Sequence, residues 1–158
     1  EYPTSEQMAE IAISTARVVR LFGFEPKVAF VSHSTFGQPL TSRTKHIRRA
    51  VDILKEKNVD FEFDGDMQPD VALNLEYEEL YPFSKIVGKA NILIMPGQHS
   101  AAISYKMMKT LGDTKVIGPL LIGLGLPVEI APLRSSTSEI INLASVAAYS
   151  SDIIDYKK

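Results

Sequence analysis

Apolar positions along the chain follow two periods, and these alternate. Met8, Ile11, Ala12, Thr15, Val18, Val19 and Phe22 recur at helical spacing behind Thr4-Ser5-Glu6-Gln7, where Thr4 caps and Gln7 reaches back. Gly23 ends that helix and Pro26 prevents its continuation. Lys27-Val28-Ala29-Phe30-Val31-Ser32 is almost wholly apolar, the mark of a strand buried on both faces of a parallel sheet. A polar loop from His33 to Thr41 leads into a second helix, Ser42 to Lys57. Ile47, Ala50, Val51 and Leu54 face inward there, and the outer face is strongly basic. Asp60-Phe61-Glu62-Phe63-Asp64 alternates as an edge strand does; Asp64-Gly65 predicts a turn and Pro69 to Leu75 a short helix. Glu76 to Gly88 is acidic and aromatic, broken by Pro82, and has no clear period. Asn91-Ile92-Leu93-Ile94-Met95 is a second buried strand, ended by Pro96-Gly97. Ser100 to Leu111 is a helix carrying Ile103, Met107, Met108 and Leu111, closed by Gly112-Asp113. Ile117 to Gly123 and Val128 to Ala131 predict short strands. Ser135-Ser136-Thr137 caps a last helix, Ser138 to about Ile154, with Ile140, Ile141, Leu143, Ala144, Val146, Ala147 and Ala148 inward.

This alternation of helices and strands demands crossover connections, hence an α/β fold with a mostly parallel sheet. Ligands of such sheets sit at the carboxyl ends of the strands. Three loops meet that condition: Ser32 to Thr41, Asp64 to Asp70 and Met95 to Ser100.

Composition narrows the function. The 158 residues are 45% hydrophobic, enough for a substantial core, and the net charge of −2 argues against a basic nucleic-acid surface. Cysteine is absent, which removes disulfides, thiolate metal sites and cysteine nucleophiles. No apolar run reaches the roughly 18 residues of a membrane span, and the N-terminus lacks the order of a signal peptide. A cytoplasmic protein without membrane or nucleic-acid partners is expected. The missing initial Met is read as excision from a longer protein.

Candidate chemistry is sparse. His33, His46 and His99 have no zinc-motif spacing; His46 reads as a solvated helix residue, while His33 and His99 follow strands. There is no Walker or G-x-G-x-x-G motif, and Gly123-Leu124-Gly125 reads as a turn. Ser32-His33-Ser34-Thr35-Phe36-Gly37, by contrast, joins a strand to a helix with hydroxyls and a glycine, a loop able to present N–H groups to an anion. Arg43, Lys45, Arg48 and Arg49 follow it, either as a solvated face or as its electrostatic complement. Asp64 and Asp66 form a carboxylate pair of a kind common in turns.

Five segments in register resemble the phosphotransacetylase (phosphate acetyl/butyryltransferase) family. They are Lys27 to Ser32 with Ser34-Thr35-Phe36-Gly37; Asp64-Gly65-Asp66-Met67-Gln68-Pro69-Asp70-Val71-Ala72, similar to D-G-x-x-Q-x-D-x-A; Gly88-Lys89-Ala90-Asn91 through Pro96; Ser104-Tyr105-Lys106; and Ile117-Gly118-Pro119 through Leu124. The resemblance covers the C-terminal half of that family. It implies a three-layer lobe of the isocitrate/isopropylmalate dehydrogenase kind, with residues 1–123 as a second α/β lobe and residues 124–158 as a return segment of the first. It points to Ser32, Ser34, Thr35, Gly37, Asp64, Gln68, Asp70, Pro96, Tyr105, Lys106, Arg134, Ser135 and Glu139 as the residues that would hold an acyl-CoA or phosphate group. No catalytic and no metal-ligating residue is assigned.

The departure from the family lies at Ala131-Pro132-Leu133-Arg134-Ser135. Active members carry Ser-Arg-Gly there; ungapped counting puts Pro132 at the serine and Leu133 at the arginine, and a second family arginine falls on Thr110. Pro132 has neither hydroxyl nor N–H, and Leu133 cannot pair with phosphate. The acid survives as Glu139, and Arg134 stands one position from the lost arginine. In this the chain is similar to the C-terminal domain of bacterial NADP-dependent malic enzymes. That resemblance implies an oligomer-building domain with acetyl-CoA as effector and no resident cofactor, NADP and a divalent metal belonging to the upstream malic-enzyme part. An active acyltransferase is the alternative.

Overall fold

The first helix begins where its capping residues predict. In the computed structural model, which describes residues 1–112 and 116–153 and side chains as far as Ser151, α1 runs Ser5–Leu21. Thr4 Oγ1 accepts from Gln7 N at 3.2 Å, and Thr4 N donates to Gln7 Oε1 at 2.8 Å, so two orphan donors are satisfied reciprocally. The buried stripe is Ser5, Met8, Ala9, Ala12 and Ala16, rotated from the expected one: Ile11 and Phe22 are 44% and 45% exposed. Small alanines let α1 approach its neighbours closely, where a bulkier stripe would hold it off. A second capping box, Thr41 with Thr44, opens α2 (Ser42–Glu56), and Ile47, Ala50, Val51 and Leu54 are buried as expected.

The chain divides after Tyr105 into two compact units. In the first, β1 (Lys27–Val31) lies between β2 (Glu62–Met67) and β3 (Ile92–Ile94), all parallel, in the order β2-β1-β3. Alternate residues serve opposite faces. Val28, Phe30, Ile92 and Ile94 join Met8, Leu54 and the α1 alanines in one core cluster. Ala29 and Leu93 face a second cluster with Met67, Ala72, Ile86 and Ala90. Helices α1 and α2 cover the first face, and α3 (Pro69–Leu73) with the chain up to Ala90 covers the second. Both faces of β1 are thus dry, as its unbroken apolar run requires. Burying a side chain of the size of Phe30 or Leu54 contributes about 1.5–3 kcal/mol.

Asp64-Gly65 does not turn the chain. Strand β2 continues through it to Met67, and the register shifts so that Gly65 faces Phe30 while Met67 faces Val31. Gly65 sits at φ 148°, and a Cβ there would lie 2.8 Å from both the Cβ and the carbonyl oxygen of Phe30. Glycine is needed here for close approach of two strands, not for a reversal.

The acidic stretch after α3 forms a 3-10 turn at Leu75–Tyr77 and then irregular chain. Carboxylates hold its backbone: Glu78 Oε1, within the stretch, accepts from Gly88 N at 2.6 Å, and from β2 Glu62 Oε2 accepts from Val87 N at 2.9 Å and Asp64 Oδ2 from Lys85 N at 2.7 Å. Carboxylates here replace the ladder that the segment lacks.

Helix α4 (Gln98–Leu111) crosses the boundary between the units, and α5 is Thr137–Ile153. The two strands expected before α5 are not formed; one antiparallel bridge, Leu120 to Glu129, stands in their place. Gly118, Gly123, Gly125 and the prolines break the pairing that their apolar residues suggested. The apolar side of α4 is not buried either: Ile103, Met107, Met108 and Leu111 are all more than half exposed. In α5 Leu143 is buried, whereas Ile140, Ile141 and Ala144 are exposed and Val146 and Ala147 half-buried. Asp113 and Ile154, at the expected ends of these helices, lie outside the described residues. No helix among the described residues is long and apolar enough to cross a membrane.

Candidate functional site

At the carboxyl end of β1 the chain enters Ser32-His33-Ser34-Thr35-Phe36-Gly37, which is folded around one carboxylate. Asp66 is completely buried. Its oxygens accept from the Ser34 hydroxyl and from Gly37 N, the latter at 3.1 and 3.3 Å. Phe36 N donates to the Asp66 carbonyl at 2.6 Å, and Ser32 N to the Met67 carbonyl at 2.9 Å. Ser32 Oγ stands 3.2 Å from Ser34 Oγ. The loop needs left-handed backbone at Phe36 (φ 49°) and Gly37 (φ 83°), the latter supplied by glycine at little cost. The Arg48 guanidinium, on α2, is 3.8 Å from Asp66 Oδ1 and balances the buried charge.

The Gln68 side chain closes the same loop. Its Nε2 donates to the His33 carbonyl at 2.8 Å, while Gln68 N donates to Thr35 Oγ1 at 3.2 Å. Ser32, Ser34, Thr35, Gly37 and Gln68 are therefore brought together, with Asp66 at the centre. Asp64 is buried but otherwise engaged, accepting from Gly65 N at 2.9 Å and from Lys85 N. Asp70 lies exposed in the first turn of α3, where its charge and hydrogen bond hold the Tyr77 hydroxyl in its protonated form and raise that group's pKa. Pro96 is half-buried between β3 and α4, and Tyr105 lies in α4 at the end of the first unit.

His33 and His99 are exposed, and His99 Nε2 approaches Glu1 at 3.6 Å. His46 is exposed as expected, yet its ring is tied: Nε2 donates to the Pro3 carbonyl at 2.9 Å, and Nδ1 lies 3.1 Å from Ser5 Oγ. Among the described residues no group of three or more His, Cys, Asp or Glu is placed to hold a metal ion.

The second unit holds Lys106, Arg134, Ser135 and Glu139. Glu139 accepts from Ser136 N at 2.8 Å, from Ser136 Oγ at 3.0 Å and from Lys109 Nζ at 3.0 Å. Ser136 Oγ in turn accepts from Glu139 N at 3.3 Å, so the acid is the third residue of a capping box on α5. The Ser136 amide first, and then Lys109 and the Ser136 hydroxyl, hold its carboxyl down at about 2. Leu133 is fully exposed, and Arg134 is exposed in the same turn, which Ser135 N closes onto the Pro132 carbonyl at 2.9 Å. The Ser135 hydroxyl is buried without a hydrogen-bond partner among the described residues and lines a small cavity with Gly118, Pro132, Glu139 and Asn142.

Two site residues escape a reading of the sequence. Asp66 looks like half of a commonplace turn pair, although its spacing after Gly65 marks it. Lys109 carries no local signal, since its partner is 30 residues away.

The family model described as phosphate acetyl/butaryl transferase matches residues 1–148. The chain belongs to that family. It is 48% identical to an NADP-dependent malic enzyme of Rhizobium meliloti, over 94% of this chain and 20% of that protein. It is 36% identical to a phosphate acetyltransferase of Bacillus subtilis, over 92% of this chain and 46% of the other. A phosphotransacetylase structure from Streptococcus pyogenes superposes with a TM-score of 0.90 at 35% identity, covering 96% of this chain and 46% of that one. The chain thus spans about a fifth of the malic enzyme and under half of either acetyltransferase. The parallel α/β fold and the family expected from the motifs are both borne out, including the likeness to malic-enzyme domains.

Proposed function

We propose that this family member is a regulatory and oligomer-building domain of an NADP-dependent malic enzyme, which takes acetyl-CoA as its effector and does not transfer acyl groups itself. The parent protein would convert malate to pyruvate in its upstream part, with NADP and a divalent metal bound there. The observation that carries the reading is at Pro132 and Leu133, where the resemblance places serine and arginine: Pro132 offers no donor and Leu133 no charge. Glu139 nearby is already engaged by the Ser136 amide and hydroxyl and by the Lys109 ammonium.

What remains suits binding. The Ser32–Gly37 loop keeps its shape through Asp66 and Gln68, and Arg134 is free of any carboxylate among the described residues. Titrating acetyl-CoA against the full-length protein while following malate-dependent NADPH formation tests the reading. A concentration-dependent change in rate is expected, and no response at millimolar acetyl-CoA would overturn it. An active phosphate acetyl/butyryltransferase is the alternative, supported by the similarity to the Bacillus subtilis enzyme. Robust acetyl-CoA formation from acetyl phosphate and CoA would establish that instead.

A further inference from the structure

Ahead of α1, the residues Glu1, Tyr2 and Pro3 run between the starts of α4 and α2 within the first unit, and each is held by a different group. The Glu1 carbonyl accepts from Gln98 N at 3.0 Å. The Arg43 guanidinium lies over the Tyr2 ring, 5.2 Å from its centroid. The Pro3 carbonyl accepts from His46 Nε2 at 2.9 Å. Ser5, buried where α1 begins, donates its hydroxyl to the His46 carbonyl at 2.8 Å.

The start of α4 is shaped to receive this strap. Helices α1 and α2 are capped by their own threonines, but α4 follows Gly97, which has no side chain to cap with. The orphan donor Gln98 N is satisfied by Glu1 instead. Gly97 is buried, and a Cβ there would lie 3.0 Å from the Glu1 carbonyl oxygen and 3.3 Å from the Tyr2 ring. Its φ is not in the left-handed region, so the close approach of the strap is what calls for glycine. The strap also lies where such sheets bind ligands. Strands β1 and β3 are adjacent and parallel, so the chain leaves both at one edge of the sheet. Arg43 and His46 stand in the first turns of α2, which follows β1 and the Ser32–Gly37 loop, and Gln98 opens α4, which follows β3. The strap thus bridges two helix starts at the carboxyl ends of two strands.

We propose that Glu1–Pro3 is a fixed joint and not a free linker: it locks the chain that precedes it in a longer protein onto the ligand end of this sheet, and it passes the occupancy of that end to the upstream part. The second half rests on the acetyl-CoA reading; the first does not. Hydrogen exchange read by mass spectrometry on the full-length protein tests the joint, and malate-dependent NADPH formation with and without acetyl-CoA tests the signal. Two variants open the strap. Gly97→Ala drives a methyl against Glu1 and Tyr2, and Tyr2→Ala removes the ring under Arg43, a side chain that is 63% exposed and so dispensable for the core. Peptides that include residues 1–5 and 97–101 should exchange slowly in the unaltered protein, and about ten-fold faster or more in the variants. The effect of acetyl-CoA on the rate should shrink by a factor of roughly two or more, while calorimetry still shows the ligand bound. Free exchange of residues 1–5 in the unaltered protein overturns the proposal, as does exchange left unchanged by both variants. A full acetyl-CoA response in a variant whose strap exchanges freely overturns the second half. If the unaltered protein ignores acetyl-CoA, the earlier reading fails and the signal fails with it, whereas slow exchange that the variants release leaves the fixed joint standing.

Discussion

Replacing Asp66 by Asn tests whether one buried carboxylate organises the candidate site. Asn keeps the shape of the side chain but has one oxygen, whereas Asp66 serves the Ser34 hydroxyl and Gly37 N together. The single oxygen keeps Gly37 N, while the new amide group donates to the Ser34 hydroxyl, which can turn its own proton to Ser32 Oγ, so both bonds become neutral ones. A hydrogen bond to a charged acceptor contributes about 1.5–3 kcal/mol and a neutral one about 0.5–1.5 kcal/mol. The difference over two bonds gives roughly 2 kcal/mol. The loss of charge opposite Arg48 adds little, because that guanidinium is nearly half exposed and is resolvated. Urea denaturation of the chain followed by far-UV circular dichroism measures this as a lower midpoint at unchanged slope, and heating should show a midpoint fall of roughly 6 °C. Ser34→Ala should cost less, since Gly37 keeps its acceptor. The double variant should cost less than the sum, because both substitutions remove the same bond. A loss below 1 kcal/mol for Asp66→Asn, or strict additivity with Ser34→Ala, would refute the central role given to Asp66.

Gly65→Ala places a methyl 2.8 Å from the Phe30 backbone at an unfavourable φ, so a loss above about 3 kcal/mol is expected in the same denaturation assay. Ala12→Leu forces bulk into the buried α1 stripe and should cost about 1–3 kcal/mol by overpacking, read as a lower thermal midpoint. Ser136→Ala removes the cap of α5 and should cost about 1 kcal/mol. Glu139→Gln acts through pH. Its folded-state carboxyl is depressed to about 2 from 4.5, so its contribution is present above the unfolded value and is lost as pH falls through the folded one. The variant should therefore be less stable than the parent at pH 7, and the two should converge between about pH 4.5 and 2 in parallel melts.

Much of the first unit was legible because its signals do not compete. Val28 to Val31 and Ile92 to Ile94 are apolar without interruption, which fits only strands covered on both faces. Thr4 and Thr41 each have the right residue three positions on to close a capping box. Gly65 misled because glycine before an acid suits a turn and a close strand approach equally, and only the distance to Phe30 decides. The α1 face was rotated because alanine weighs little in an apolar period, yet here it packs best. In the second unit the apolar residues of α4 and α5 do repeat at helical spacing, but periodicity reports which face is apolar, not that a partner covers it.

The site divides along the same line. Hydroxyls and a glycine after a strand suggest an anion loop from local spacing alone; Ser32, Ser34, Thr35 and Gly37 are gathered, but around the chain's own Asp66, which takes the Gly37 N–H and the Ser34 hydroxyl. What the loop is built on is not local: Asp66 and Gln68 come from the next strand and Arg48 from the helix between. Glu139 makes the point most sharply. As a letter it preserves the family's acid, and so argues for retained chemistry. Its surroundings reverse that inference, because Ser136 and Lys109 use the carboxylate to start a helix and to pair a charge. A surviving residue type is therefore weaker support for catalysis than the contacts that its side chain makes. On that ground the proposed effector-binding role fits the second unit better than acyl transfer does.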